Sequence, residues 1–159
     1  MAELDWSNLS FQYRKTEAII VSYYKDGQWS PLAATKDFDF HFSAFAGVFH
    51  YANACFEGLK AFRGADGKIR LFRPDENAKR IRRSGGHLDM AVPSEEMFIE
   101  ACMMCVRENS EYLPPYGYGA SMYLRPVLIG INPQLGWMRR RNSLAMARAA
   151  GSISLAKEK

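Results

Sequence analysis

Tyr123 and Arg125 stand two residues apart in Ser121-Met-Tyr-Leu-Arg-Pro-Val-Leu-Ile-Gly-Ile131, a run of strand-forming residues ended by Asn132-Pro133. Side chains alternate across a strand, so Tyr123 and Arg125 share one face while Met122 and Leu124 share the other. The second face reads as core. On the first, an arginine can grip a carboxylate at two points with a phenol donor beside it. A structural ion pair on a half-buried strand is the competing reading. His50-Tyr-Ala-Asn-Ala-Cys-Phe-Glu-Gly-Leu-Lys-Ala-Phe-Arg63 crowds aromatic, acidic, glycine and basic residues into one stretch that reads as a loop feeding a strand. It suits a binding wall better than a plain core. Lys79, Arg80, Arg82 and Arg83 form a basic run whose ordinary role is a solvated helix face. The helical period spreads these four around the axis, and Arg80, on the side of Asn77 and Ser84, can face inward toward a phosphate.

Other chemistries find less support. Cys102-Met-Met-Cys105 stands alone inside a helical pattern, without the further ligands a zinc site needs, and reads as buried core. His41, His50 and His87 show no metal-ligand spacing, so no metal is expected. Neither Gly-x-x-x-x-Gly-Lys nor Gly-x-Ser-x-Gly occurs, which removes P-loop and serine-hydrolase readings.

The elements that must hold these residues follow from the pattern. Residues 1–16 read as an irregular arm carrying Trp6, Phe11 and Tyr13. Ala18–Tyr24, the Asp26-Gly27 turn and Gln28–Leu32 give a first hairpin. Phe38–Phe49 is open to strand or loop. Leu59–Arg63 and Lys68–Phe72 give a second hairpin around Gly64–Gly67. Pro74, with Asp75 and Glu76, opens a helix expected to run to about Ser84 and stop at Gly85-Gly86. Ser94 caps a second helix through about Glu108. Strand pairs alternating with helices, without a regular βαβ repeat, predict an α+β fold.

The 159 residues suffice for one domain with its own core. No window approaches the ~18 apolar residues that span a bilayer. The first residues lack a basic leader and an apolar stretch, so secretion is not expected, and three cysteines fit a reducing, cytoplasmic setting. The net charge is +4, but residues 137–159 hold six cations against Glu158, a net of +5, which leaves residues 1–136 at −1. The basic character belongs to the tail, and neither nucleic acid nor membrane is an expected partner.

Phe56-Glu-Gly-Leu-Lys-Ala-Phe-Arg63, Ile69-Arg-Leu-Phe-Arg-Pro74, Tyr123-Leu-Arg-Pro-Val-Leu-Ile-Gly130 and Asn132-Pro-Gln-Leu-Gly136 together resemble the branched-chain amino-acid aminotransferases, fold-type IV enzymes that use pyridoxal phosphate. The resemblance covers roughly residues 5–136 and matches that family's smaller N-terminal domain, which implies an antiparallel-rich sheet with two main helices. It assigns residues 1–136 to the small domain and leaves 137–159 as an unmatched basic tail, expected to be disordered or weakly helical around Leu144–Ala150. By position it gives Arg80 the cofactor phosphate, and Tyr123 and Arg125 the substrate pocket, with Arg125 receiving the side-chain carboxylate of glutamate. Tyr51 and Phe56 match the aromatic wall that accepts Leu, Ile or Val. The tyrosine at the Tyr51 position serves the partner subunit in that family, so a homodimer is implied. Phe11 matches an aromatic near the pocket entrance.

The substrates implied are branched-chain amino acids with glutamate and 2-oxoglutarate. An aromatic pocket rimmed by one arginine suits that dual specificity, since apolar side chains gain from the rings and glutamate from the charge-assisted bond. In the family the lysine that holds the cofactor as a Schiff base lies in the larger domain, beyond the matched segment. No catalytic lysine is therefore expected here: Lys60 matches a non-catalytic strand lysine, and Lys157 and Lys159 lie in the tail. The change of composition after Gly136 resembles a shifted frame or a truncated product, inactive alone. The alternatives are another fold-type IV enzyme, such as a D-amino-acid aminotransferase or aminodeoxychorismate lyase, and a non-catalytic, self-associating module. Tyr-Leu-Arg-Pro and Asn-Pro-Gln-Leu-Gly argue against the first.

Overall fold

A computed structural model of the chain describes Trp6, residues 15–133 and, as backbone alone, the strand Ser143–Leu155. Phe11 and Tyr13 lie outside the described residues. Apolar β-branched residues open β1 (Ile19–Lys25), which turns at Asp26-Gly27 into β2 (Gln28–Trp29). Both turn residues have positive φ, 52° and 90°, the mirror-image turn that matches strand twist. β3 (Ala33–Thr35) pairs with the other end of β1. Phe38–Phe49 resolves as an irregular segment running into the short helix α1 (Gly47–Tyr51). The His50–Arg63 stretch then holds two strands, β4 (Ala54–Phe56) and β5 (Leu59–Arg63), rather than a loop feeding one.

β6 (Ile69–Leu71) closes the second hairpin, and α2 (Pro74–His87), α3 (Glu95–Glu108) and β7 (Ala120–Gly130) follow. Ser94 caps α3 as its chemistry predicts, its hydroxyl accepting the Met97 N–H at 3.1 Å. α2 does not stop at Ser84. It runs through Gly85 and Gly86 because the glycine lets the helix lie tightly on the sheet: a Cβ at Gly85 would stand 2.7 Å from side-chain carbons of Leu128 and Val92.

The tail corrects a larger expectation. Ser143–Leu155 forms a thirteen-residue strand, β8, and is neither disordered nor helical. Its alanines favour helix, but β1 and β7 each present an open ladder edge, and pairing with both outweighs that intrinsic preference. The strand order is β2-β1-β8-β7-β5-β6, antiparallel throughout, with β3 also on β1 and β4 on β7. β8 thus sits in the middle of the sheet.

Both main helices pack on one sheet face. Ile20, Leu59, Ile81, Phe98, Cys102, Cys105, Met122, Leu124 and Leu128 form the core between the layers. Burial of ~25 cal/mol per Å2 of apolar surface makes this layer the main source of stability. On the opposite face, Phe38, Phe40 and Phe42 cover Ile19, Val21 and Ile129, so one end of that face is roofed. The end at Tyr123 and Arg125 is not part of this cluster.

Candidate functional site

Register explains the site. β4 and β5 lie along the same edge of β7, with Phe56 opposite Val127, Leu59 opposite Leu124 and Lys60 opposite Tyr123. The Glu57 N–H donates to Pro126 O at 2.9 Å, so the pairing continues unshifted between the two strands. Alternation then gives Phe56, Gly58 and Lys60 to the face of Tyr123 and Arg125, and Glu57 to the helix-covered face. β7 alternates as expected: Met122, Leu124 and Leu128 are buried, and Tyr123 and Arg125 are half-buried on the other side.

Gly58 is the small residue that lets the pair on β7 assemble. A Cβ there would stand 2.5 Å from Tyr123 Oη, so the phenol lies directly over the strand. Arg125 Nε donates to that Oη at 2.9 Å, and its guanidinium stacks over the Phe56 ring at 4.3 Å from the centroid. Phe56 is 61% exposed. The three side chains form a cation held between two rings, which keeps the arginine extended over the sheet while leaving apolar surface open to solvent. Tyr51 lies at the end of α1 with its ring centroid 6.5 Å from that of His50.

On the helix face Glu57 is 4% exposed and meets α2. Arg80 Nε donates to Glu57 Oε1 at 2.7 Å, its Nη2 donates to Oε2, and Asn77 Nδ2 donates to Oε2 at 2.8 Å. The bonds from Arg80 to Glu57, with that carboxylate's charge, raise the Arg80 pKa above its ordinary value. Burial, and secondarily the Glu57 charge, push the nearby Cys55 thiol up to about 11. Arg80 is 55% exposed and so reaches from the buried acid to the surface.

There it meets an open depression at the start of α2. β6 pairs with β5 only from Ala61 to Arg63, and the chain turns away at Phe72-Arg73, where Arg73 takes a left-handed φ of 46°. Beside Gly58–Lys60 this leaves a hollow lined by Lys60, Phe62, Phe72, Arg73, Arg80 and Tyr123, with Asn77 and the acid Glu76 also in its wall. Two of the expected site residues, Arg80 and Tyr123, share it. Arg125 and Phe56 join through Tyr123, whereas Tyr51 is not among its lining residues.

Sequence reasoning missed Glu57, Lys60 as a neighbour of Tyr123, and the rings of Phe62 and Phe72 in the wall of the hollow. The two-residue spacing of Glu57 from the core residue Leu59 becomes a signal only once β4 and β5 share one register along β7. Cys102 and Cys105 are buried in the core, as their helical spacing indicates. Among the described residues no cluster of His, Cys, Asp and Glu could hold a metal ion, and no helix is long and apolar enough to cross a membrane.

The donor set fits a phosphate-bearing ligand: the half-exposed Arg80 guanidinium and Lys60, beside aromatic rings, outnumber the one acid in the wall, Glu76, which lies 3.9 Å from Arg73. No family model matches the chain. Over 136 residues it is 44% identical to a branched-chain-amino-acid aminotransferase of Haemophilus influenzae and 46% identical to one of Helicobacter pylori, covering 86% of this chain and 40% of each relative. The chain thus spans about two-fifths of the length of the curated relatives it matches. A branched-chain amino acid aminotransferase structure from Escherichia coli superposes with a TM-score of 0.57 at 22% identity, over 84% of this chain and 39% of that one, a likeness of fold. A second such structure, from T.th. and complexed with N-(5'-phosphopyridoxyl)-L-glutamate, gives a TM-score of 0.54 at 26% identity, over 84% of this chain and 41% of that one. The chain is homologous to part of the branched-chain-amino-acid aminotransferases, and its α+β fold is theirs over that part.

Proposed function

We propose that residues 1–136 are the small-domain portion of a branched-chain-amino-acid aminotransferase, which moves an amino group between Leu, Ile or Val and 2-oxoglutarate with pyridoxal phosphate. The observation that carries this reading is the meeting of Arg80 and Tyr123 at one depression, in a chain 44–46% identical to named aminotransferases.

Pyridoxal phosphate, when bound, supplies the electron sink for chemistry at the amino acid's α-carbon. In this reading Arg80 holds its phosphate. Tyr123 and Arg125 orient the substrate: the guanidinium receives the second carboxylate of glutamate, and the exposed ring of Phe56 receives a branched side chain in its place. Tyr51 serves the pocket of a partner subunit in a homodimer. The setting is cytoplasmic. Among the described residues, exposed rings such as Phe49 at 66% and Phe72 at 69% favour burial against further protein.

A chimera tests the assignment. Residues 1–136 replace the corresponding segment of the Haemophilus influenzae enzyme, and turnover of leucine with 2-oxoglutarate is measured. The chimera is expected to turn over, and Arg80→Ala in it to weaken cofactor retention by about tenfold or more, the loss of a charge-assisted phosphate contact. The 159-residue polypeptide alone is expected to show no turnover. A soluble, folded chimera that binds no cofactor would overturn the reading.

A further inference from the structure

Glu57 occupies a costly position. It faces the core layer at 4% exposure, and an unpaired carboxylate there would be strongly destabilising. Its partners come from α2. Arg80 approaches side-on, using its Nε–H and one Nη2–H, while Asn77 donates a further bond at 2.8 Å. A guanidinium carries five N–H donors in a fixed plane. The side-on pairing consumes two, leaving both on Nη1 and one on Nη2 along the edge that points away from the acid. Arg80 lines the depression with Lys60, Arg73 and the acid Glu76, which lies 3.9 Å from Arg73, so Arg80 is spanned between a buried anchor and an open hollow.

We propose that Glu57 is the positioning residue of this site: it fixes Arg80 side-on so that the remaining end-on pair of donors is presented, pre-aligned, to a phosphate group in the depression. This rests on the reading of Arg80 as the phosphate ligand. The physical advantage is preorganisation, because a free arginine must be immobilised at the moment of binding, whereas one already locked to Glu57 is not. The opposite role is equally definite in its consequences. Were Glu57 a competitor for Arg80, its negative charge would weaken anion binding, and removing that charge would strengthen it. Charge alone and preorganisation therefore give opposite signs for the same substitution.

The probe is pyridoxine 5'-phosphate, which has no aldehyde and cannot condense with lysines, and pyridoxine is the phosphate-free control. Affinities are measured on the full 159-residue chain by NMR titration. Glu57→Gln, which makes the site more positive by one charge, is expected to weaken phosphate-dependent binding about tenfold, and Arg80→Ala to abolish it. Unchanged or tighter binding by Glu57→Gln, with Arg80→Ala still defective, overturns the role of Glu57 and leaves that of Arg80. Equal binding by Arg80→Ala and the wild type overturns both, as does no phosphate-dependent binding by the wild type up to ~10 mM. Should Glu57→Gln fail to fold, the wild-type Arg80 side-chain resonances decide. Saturation with the probe should shift the Nη signals and leave the Nε–H, bonded to Glu57, in place. An Nε–H that moves to the position of a free arginine would show Glu57 displaced, and the proposal would fall.

Discussion

A Cβ built at Gly58 would stand 2.5 Å from Tyr123 Oη and 3.1 Å from two of its ring carbons, so Gly58→Ala must push the ring off the strand. That movement also breaks the 2.9 Å bond from Arg125 Nε to Tyr123 Oη. The expected cost is ~1–3 kcal/mol, the range for forcing extra volume into a packed contact. Urea unfolding measures it, and the double variant identifies its origin. In a Tyr123→Phe background the severest clash is gone and no hydroxyl is left to lose, so the added cost of Gly58→Ala should shrink. Equal costs in both backgrounds would place the strain elsewhere. At this scale the sequence is legible where alternation is local: Tyr123 and Arg125 share a face because they are two residues apart. Glu57 was not legible, because its facing depends on β4 and β5 sharing one register along β7, a pairing made some seventy residues away in sequence.

At the scale of elements, the two glycines near the end of α2 separate intrinsic preference from packing. Glycine in a helix interior costs ~1 kcal/mol relative to alanine, so propensity alone predicts that replacing either one stabilises the protein. At Gly86 nothing lies within 4 Å of an added Cβ, and Gly86→Ala should stabilise by ~0.5–1 kcal/mol. At Gly85 the Cβ would meet Leu128 Cδ2 and Val92 Cγ1, each at 2.7 Å, and Gly85→Ala should destabilise by ~1–3 kcal/mol despite the better helix former. Thermal midpoints of the two variants should move in opposite directions; a shift of both the same way would show that helix–sheet contact does not govern this end. The same contact explains why the helix boundary was misread. A Gly-Gly pair signals a stop when the helix stands alone, and here it marks close approach to a sheet. The hairpins and the Ser94 cap were legible because their chemistry is complete within a few residues.

For the whole molecule, the decisive feature is that β8 lies between β1 and β7. Composition presented residues 137–159 as an appendage, since an alanine- and arginine-rich segment carries no pattern that reveals two ladder edges waiting for it. The ladder spans Ser143 to Arg148 against β1 and Ser143 to Leu155 against β7. Without β8, β1 keeps an independent anchor: Asn109 Oδ1 accepts the N–H groups of Glu17 and Ala18 at 2.9 and 3.0 Å, and its Nδ2 donates to Ala18 O at 2.9 Å. Truncation after Gly136 should therefore leave β1 tethered to the end of α3 while opening two long strand edges at the centre of the sheet. Unpaired edges of this kind are templates for pairing with other chains. The 1–136 polypeptide is expected to associate in sedimentation experiments and to lose amide protection in β7 at Tyr123–Ile129, while α2 and α3 retain part of theirs. A monomeric 1–136 polypeptide with full protection in β1 and β7 would mean that these strands close on each other directly, and that the tail adds a strand to a sheet that does not need it.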